Sequence, residues 1–159
     1  MPATAPVAET PVRPEPRDAR SPIFGTWMPS RLDPETAPAV LVAEDHDDSR
    51  DALCTLLDAM GYRVLVARNG GEAVEVARAH RPDLILMDMM MPLVDGFQAT
   101  RTLRADEAFR TVPIVAITAM EGAREAVLEA GCSDCVLKPL DIRSFMERLH
   151  GWLGAGRPK

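Results

Sequence analysis

Leu84-Ile85-Leu86-Met87-Asp88 decides how this chain folds. Four apolar residues follow one another without polar alternation, and an acid ends the run. An unbroken apolar run of this length suits a strand covered on both faces, as in a parallel sheet. The same text recurs at Val40-Leu41-Val42-Ala43, Val64-Leu65-Val66-Ala67, Ile114-Val115-Ala116-Ile117 and Cys135-Val136-Leu137. Five strands are therefore predicted, each covered by helices.

The segments between the runs carry helical spacing. Leu53, Leu56, Leu57 and Met60 recur at i, i+3, i+4 and i+7, and Gly61 ends that helix. Asn69-Gly70-Gly71 leads into a second helix reaching His80, and a third spans Gly96 to Ala105. A fourth is predicted over Glu121 to Ala130, stopped by Gly131, and a fifth begins at Asp141. Ile142, Phe145, Met146, Leu149, Trp152 and Leu153 form the apolar stripe of the fifth. Five strands alternating with five helices predict a doubly wound α/β domain over residues 39–154.

Outside that domain the text changes. Nine of the 14 prolines (positions 2, 6, 11, 14, 16, 22, 29, 34 and 38) precede Val40. Residues 1–38 show neither helical nor strand periodicity, and such a composition cannot bury enough apolar surface to offset its ordering entropy. This segment is read as a disordered tail, and residues 155–159 as a second, short one. Ser21-Pro22-Ile23-Phe24-Gly25-Thr26-Trp27-Met28 interrupts the first tail with hydrophobes; it is either a docking motif that orders on a partner or incidental.

Charge and composition exclude several classes. The formal net charge of −6 argues against general nucleic-acid binding, which draws on clustered Lys and Arg. Five acids and four bases fall in residues 1–38, so the acidic excess belongs to the remainder. No apolar run approaches the roughly 18 residues of a membrane span, and the N-terminus lacks the basic start and apolar stretch of a secretory signal. A cytoplasmic protein is expected. Cys54, Cys132 and Cys135 make no disulfide framework, and Cys132-x-x-Cys135 precedes Val136-Leu137-Lys138-Pro139 rather than a helix N-terminus. The pair is read as two small, partly buried thiols.

In an open parallel sheet, ligands bind at the carboxyl ends of the strands. The first strand delivers Glu44 and Asp45, the third Asp88, the fourth Thr118 and the fifth Lys138. Three carboxylates repel one another, and a bound divalent cation relieves that repulsion. Hard oxygen ligands on short arms favour Mg²⁺. A carboxylate beside a metal and an ammonium is equipped to attack phosphorus, because the charge of a phosphoryl group then meets partners already in place. Thr118 would hydrogen-bond one phosphoryl oxygen and Lys138 would pair with another.

These residues resemble a known family. Glu44-Asp45, Met87-Asp88-Met89-Met90-Met91-Pro92 with Asp95-Gly96, Thr118-Ala119 and Leu137-Lys138-Pro139 look like the receiver domain of two-component response regulators, from Ala39 to Leu153. The resemblance implies a flavodoxin-like sheet of order 2-1-3-4-5. It makes Asp88 the phosphoacceptor, charged by a histidine kinase or a histidine phosphotransfer protein. Glu44, Asp45, Asp88 and the backbone carbonyl of Met90 would hold Mg²⁺. Thr118, Ala119 and Lys138 would be the phosphoryl-binding and switch positions, and a cis bond is expected at Lys138-Pro139.

Two departures from the family pattern stand out, one at Cys135 and one at the pair Met90 and Met120. Cys135 stands where the family usually has Tyr or Phe, which puts an aromatic-flip output in doubt. Met90 and Met120, two residues after Asp88 and Thr118, occupy positions that in the family influence hydrolysis; these apolar side chains give water little help, so a comparatively long-lived phosphoaspartate is expected. No helix-turn-helix or basic cluster follows Leu153. A single-domain regulator is expected, acting on a downstream protein and neither on DNA nor at a membrane, and an acceptor that assists its own phosphotransfer and slow dephosphorylation rather than an enzyme.

Blander and rival readings stand beside this one. Asp47, Asp48 and Ser49 are read as loop or helix-cap residues, His46 as a solvated loop residue, and His80 and His150 as helix-terminal cations. Met87 is assigned to the core and Met89, Met90 and Met91 to loop packing. Asp45-His46-Asp47 also resembles the nucleophile motif of haloacid dehalogenase-like phosphohydrolases, although Ser49 departs from it and Asp88 would be left without a role. A pseudo-receiver that only docks is the third reading.

Overall fold

The structure, a computed structural model, describes residues 36–155. Expectations for residues 1–35, including the Ser21–Met28 motif, and for 156–159 lie outside the described residues. Five parallel strands, β1 (Ala39–Ala43), β2 (Arg63–Ala67), β3 (Leu84–Asp88), β4 (Ile114–Thr118) and β5 (Asp134–Leu137), form one sheet in the order β2-β1-β3-β4-β5. Helices α1 (Asp47–Ala59), α2 (Gly70–His80), α3 (Gly96–Arg104), α4 (Arg124–Ala130) and α5 (Ile142–Ala155) connect or follow them. The fold is the flavodoxin-like arrangement expected.

Successive strand side chains point to opposite faces, and the two layers of core follow that alternation. Leu41, Ile85, Met87, Ile114 and Ala116 pack with Ala73 and Ala77 of α2, Leu103 of α3 and Val127 of α4. Val40, Val42, Leu84, Leu86, Val115 and Ile117 pack on the other side with Leu53 and Leu57 of α1 and Phe145 and Leu149 of α5. β1, β3 and β4 are buried at every position. The edge strand β2 is not: Arg63 and Val66 are exposed, so the apolar run Val64–Ala67 overstates its cover.

Helix starts follow local chemistry. The Asn69 side chain accepts from the N–H of Glu72 (2.8 Å), Asp95 from Gln98 (2.9 Å) and Asp141 from Ser144 (3.2 Å), capping α2, α3 and α5. Asp47 and Asp48 lie in the first turn of α1 rather than at its cap, where His46 stands; acids there suit the helix dipole. α4 begins at Arg124, not Glu121, because Gly122 takes a left-handed φ of 76° that no helix interior accommodates. His80 ends α2 as expected, whereas His150 lies inside α5. Ile142 leaves the apolar stripe of α5 and is half exposed, and a short 3₁₀ turn at Glu107–Phe109 had no periodic signature.

Strand order reverses between β1 and β3, and the crevice opens outside the carboxyl ends of those strands. The register aligns the ends: Ala43 pairs with Met87, Asp88 with Ile117 and Thr118 with Leu137. Backbone bonds continue past the ladders, from the N–H of Met89 to Ile117 O (3.1 Å) and of Lys138 to Thr118 O (2.8 Å). The groups that the sequence placed at strand ends are thus brought to one rim.

Candidate functional site

Glu44, Asp45 and Asp88 offer carboxylate oxygens that all lie within 4.8 Å of one another, the described residues' one grouping of metal-ligating type. Glu44 and Asp88 are buried, at 1% and 4% exposure, while Asp45 is part-exposed. Lys138 bridges the two buried acids: its Nζ donates to Glu44 Oε2 at 2.8 Å and to Asp88 Oδ2 at 3.2 Å. One ammonium against three carboxylates leaves an excess of negative charge. Short-armed oxygen donors with that excess fit a hard divalent cation such as Mg²⁺.

Burial shifts the equilibria of the pair. Desolvation pushes the Glu44 carboxyl above its usual range, outweighing the hydrogen bond from Lys138, and nearby Asp88 pushes it the same way. For Lys138, desolvation pulls the ammonium down, but the Glu44 hydrogen bond and the charges of Asp88 and Glu44 overcome it, so its pKa is raised. Lys138 therefore stays cationic between the two carboxylates.

The backbone around Asp88 is tightly fitted. The N–H of Met90 donates to Asp88 Oδ1 at 3.0 Å, closing a turn across the strand end. Gly96 opens α3 directly behind it, where a Cβ would come within 2.5 Å of Asp88 O and 2.7 Å of the Met89 Cα. Gly70 meets the same loop from α2: its N–H donates to Val94 O (2.8 Å), and a Cβ there would lie 2.5 Å from that oxygen. Only glycine allows backbones to approach so closely. Met89 and Met91 are buried and Met87 is core, whereas Met90 is 61% exposed at the rim.

Thr118 is fully buried, and its Oγ1 accepts from the N–H of Met120 at 3.1 Å. A hydroxyl that accepts there still has its own hydrogen to donate. Ala119 and Lys138 line a neighbouring apolar cleft of about 510 Å³, walled by Leu53 and Leu56 of α1, Ile117, Pro139 and Leu140. The Lys138-Pro139 bond is cis. His46 is exposed and enters the site only through its N–H, which donates to Glu44 Oε1 at 3.2 Å.

Cys135 is buried on β5 and belongs to the same core cluster as Cys132. Beside it Asp134 receives Arg148 from α5 (2.6 Å), Trp152 Nε1 (3.0 Å) and Arg124 from α4 (3.1 Å), and Arg148 also donates to Cys135 O (3.1 Å). Burial pushes both the Cys132 and Cys135 thiols up, which disfavours thiolate and agrees with two inert side chains. Two cations escaped sequence reasoning. Arg50 of α1 is buried under the Glu44–Asp45 turn, and Arg104 ties α3 to Gly131 O (2.7 Å), Phe109 O (2.5 Å) and Val112 O (2.7 Å). Arg50 carries a weak signal, a cation five residues after an acid pair; Arg104 carries none, since it binds backbone carbonyls, 5 to 27 residues away, that no side chain announces.

Known proteins share this architecture. The response regulator receiver domain model matches residues 40–150. The polar-differentiation response regulator DivK of Brucella anthropi is 38% identical over 118 residues, covering 73% of this chain and 96% of that protein. The receiver domain of sensor histidine kinase PA1611 from Pseudomonas aeruginosa, solved with magnesium coordinated in its active-site cleft, superposes with a TM-score of 0.69 at 38% identity, covering 74% of this chain and 98% of that one. The receiver domain of the Saccharomyces cerevisiae response regulator Ssk1, in co-crystal with the histidine phosphotransfer protein Ypd1, gives 0.69 at 26% identity, covering 75% and 92%. With its carboxylates, hydroxyl and ammonium converging at the switch point of a 2-1-3-4-5 sheet, the chain belongs to the response regulator receiver domain family.

Proposed function

We propose that this chain accepts a phosphoryl group on Asp88 from a phosphohistidine of a kinase or phosphotransfer protein, and signals by a change in protein binding. The observation that carries the reading is the Lys138 ammonium held at 2.8 and 3.2 Å between Glu44 and Asp88, beside the part-exposed Asp45. An Asp88 oxygen attacks phosphorus, the P–N bond breaks, and the imidazole leaves with its electron pair and takes up a proton. Glu44, Asp45, Asp88 and the Met90 carbonyl are the proposed Mg²⁺ ligands; the ion, when bound, neutralises charge on the transferring phosphoryl oxygens.

The protein's own part is positioning and charge. Lys138 exchanges one carboxylate oxygen for a phosphoryl oxygen, and its raised pKa keeps it charged at neutral pH. Thr118 swings its hydroxyl toward the new anion, which loosens the bond from the Met120 N–H and pulls on the β4–α4 segment. Cys135 offers no ring to follow that movement, so the response passes through the segment from Ala119 to Arg124 and the adjoining α4–β5–α5 face. The apolar cleft between α1 and Pro139-Leu140 supports the partner reading, because it offers greasy area beside the acceptor for a phosphodonor protein. Among the described residues no helix is long and apolar enough to cross a membrane.

Incubation with a small phosphodonor and Mg²⁺, read by intact-mass and peptide spectrometry, tests the assignment. One phosphoryl group is expected on Asp88, none in Asp88→Ala, and little without Mg²⁺. Label on Asp45, or undiminished labelling of Asp88→Ala, would favour the phosphohydrolase reading; no Mg²⁺ binding at all would favour a docking module.

A further inference from the structure

Arg50 is 6% exposed, yet it is a full cation placed beneath a cluster built to attract cations. Its guanidinium NH1 donates to Glu44 O at 3.0 Å, and NH2 pairs with Asp47, whose side chain is largely exposed. Glu44 O belongs to the peptide that joins Glu44 to Asp45. That peptide is planar, so fixing its oxygen fixes the orientation from which the Asp45 side chain departs. The preceding peptide is held as well, because the Glu44 N–H donates to Ala67 O at 3.0 Å. On the far side, the His46 N–H donates to Glu44 Oε1, and His46 O receives the Arg50 N–H at 2.9 Å. The turn between β1 and α1 is thus tied at every peptide, and Arg50 supplies the tie between the two acids.

We infer that Arg50 is a positioning residue for Asp45, holding the Glu44–Asp45 peptide so that the Asp45 carboxylate meets a divalent cation together with Asp88. The inference rests on the magnesium-dependent reading of the site. Electrostatics alone gives the opposite expectation. A positive charge so near a cation site opposes cation binding, so deleting it should tighten Mg²⁺ binding if Arg50 mattered only through charge. Positioning predicts weaker binding, since groups that orient metal ligands typically cost about 10-fold or more in affinity when removed.

Mg²⁺ titrated calorimetrically into the full-length protein without phosphodonor decides between them. Arg50→Ala is expected to weaken binding about 10-fold, and Arg50→Lys, which keeps charge and stem but not the planar fork, about threefold. Val74→Ala, a truncation of the core on α2, should bind as the parent does. Parent-like or tighter binding by Arg50→Ala overturns the inference, and so does an equal loss in Val74→Ala. If Arg50→Ala does not fold by circular dichroism, Arg50→Lys decides alone, and parent affinity in that variant overturns it. Parent protein that binds no Mg²⁺ defeats both this inference and the functional reading beneath it; parent protein that binds while the Arg50 variants match it defeats the inference only.

Discussion

Asp134 opens β5 and gathers groups from three elements, so its replacement by asparagine is a sharp probe of the face around Cys135. Its Oδ2 accepts from Arg148 at 2.6 Å and from Trp152 Nε1 at 3.0 Å, and its Oδ1 from Arg124 at 3.1 Å and the Cys135 N–H at 2.8 Å. Arg148 also lies over the Trp152 ring, 5.1 Å from its centroid, and Trp152 meets Phe145 edge-on. Desolvation would raise the carboxyl's pKa, but the Arg148 hydrogen bond, the Cys135 N–H and Trp152 overcome it and hold the group at about 2, against 3.8 for a free aspartate. A folded-state pKa below the unfolded one means that the contribution is complete above the unfolded value and is lost as pH falls through the folded one. Full expression of that gap is worth about 2.4 kcal/mol, which the solvent-exposed Arg124 side and screening cut to about 1 kcal/mol.

Asp134→Asn should therefore lose about 1 kcal/mol at pH 7 and about half as much at pH 3, where the parent's own advantage is fading. Urea unfolding followed by circular dichroism at pH 7, 5 and 3 measures it. A stability loss of equal size at pH 7 and 3 would mean that hydrogen-bond shape rather than charge holds the cluster, and no loss at pH 7 would refute the cluster's importance altogether.

Other expectations can be checked in the same protein. Gly96→Ala should cost about 1–3 kcal/mol of stability, because the new Cβ meets backbone on two sides and neither can retreat; thermal unfolding reads it, and Gly71→Ala, which meets side chains alone, Asn69 at 3.2 Å and Val94 at 3.7 Å, should cost much less. Arg104→Ala should cost about 2 kcal/mol in urea unfolding by orphaning the Gly131, Phe109 and Val112 carbonyls, and Arg104→Lys should recover less than half, lacking the fork that reaches all three. Phosphoaspartate should outlast that of Met90→Asn and of Met120→Glu when dephosphorylation is followed by mass spectrometry; a parent half-life shorter than either variant's would contradict the role given to these methionines.

What the sequence could reveal and what it could not divide along physical lines. The apolar runs at Val40, Leu84 and Ile114 announce buried strands because burial on both faces removes polar residues locally. Gly61 and Gly131 mark helix ends because both take left-handed φ values, 90° and 112°. Glu44, Asp45, Asp88, Thr118 and Lys138 were legible because each stands at the end of its strand or within two residues of it, so one rule about strand ends finds them. The start of α4 was misplaced because Gly122 reads as an ordinary residue until its φ is known. Exposure of Val66 depends on which strands end up at the sheet edge, a property of order rather than of the run itself. Arg104 and Asp134 act across 27 and 14 residues of chain, from Arg104 to Gly131 and from Asp134 to Arg148, and leave no periodic trace.

The two-layer sorting of the strands also governs where the chain can change length. In β3, Ile85 and Met87 serve one layer and Leu84 and Leu86 the other, and the same alternation aims Asp88. Deleting a single residue inside β3 would exchange the two layers and turn Asp88 away from Lys138 in one step. The connections entering the strands, such as Gly61-Tyr62 before β2 or Arg81-Pro82-Asp83 before β3, lie at the end of the sheet away from the acids. Insertions and deletions in a lineage of such sequences should therefore collect at that end, while the strands and the acid-bearing turns keep a fixed length even as their apolar residues drift.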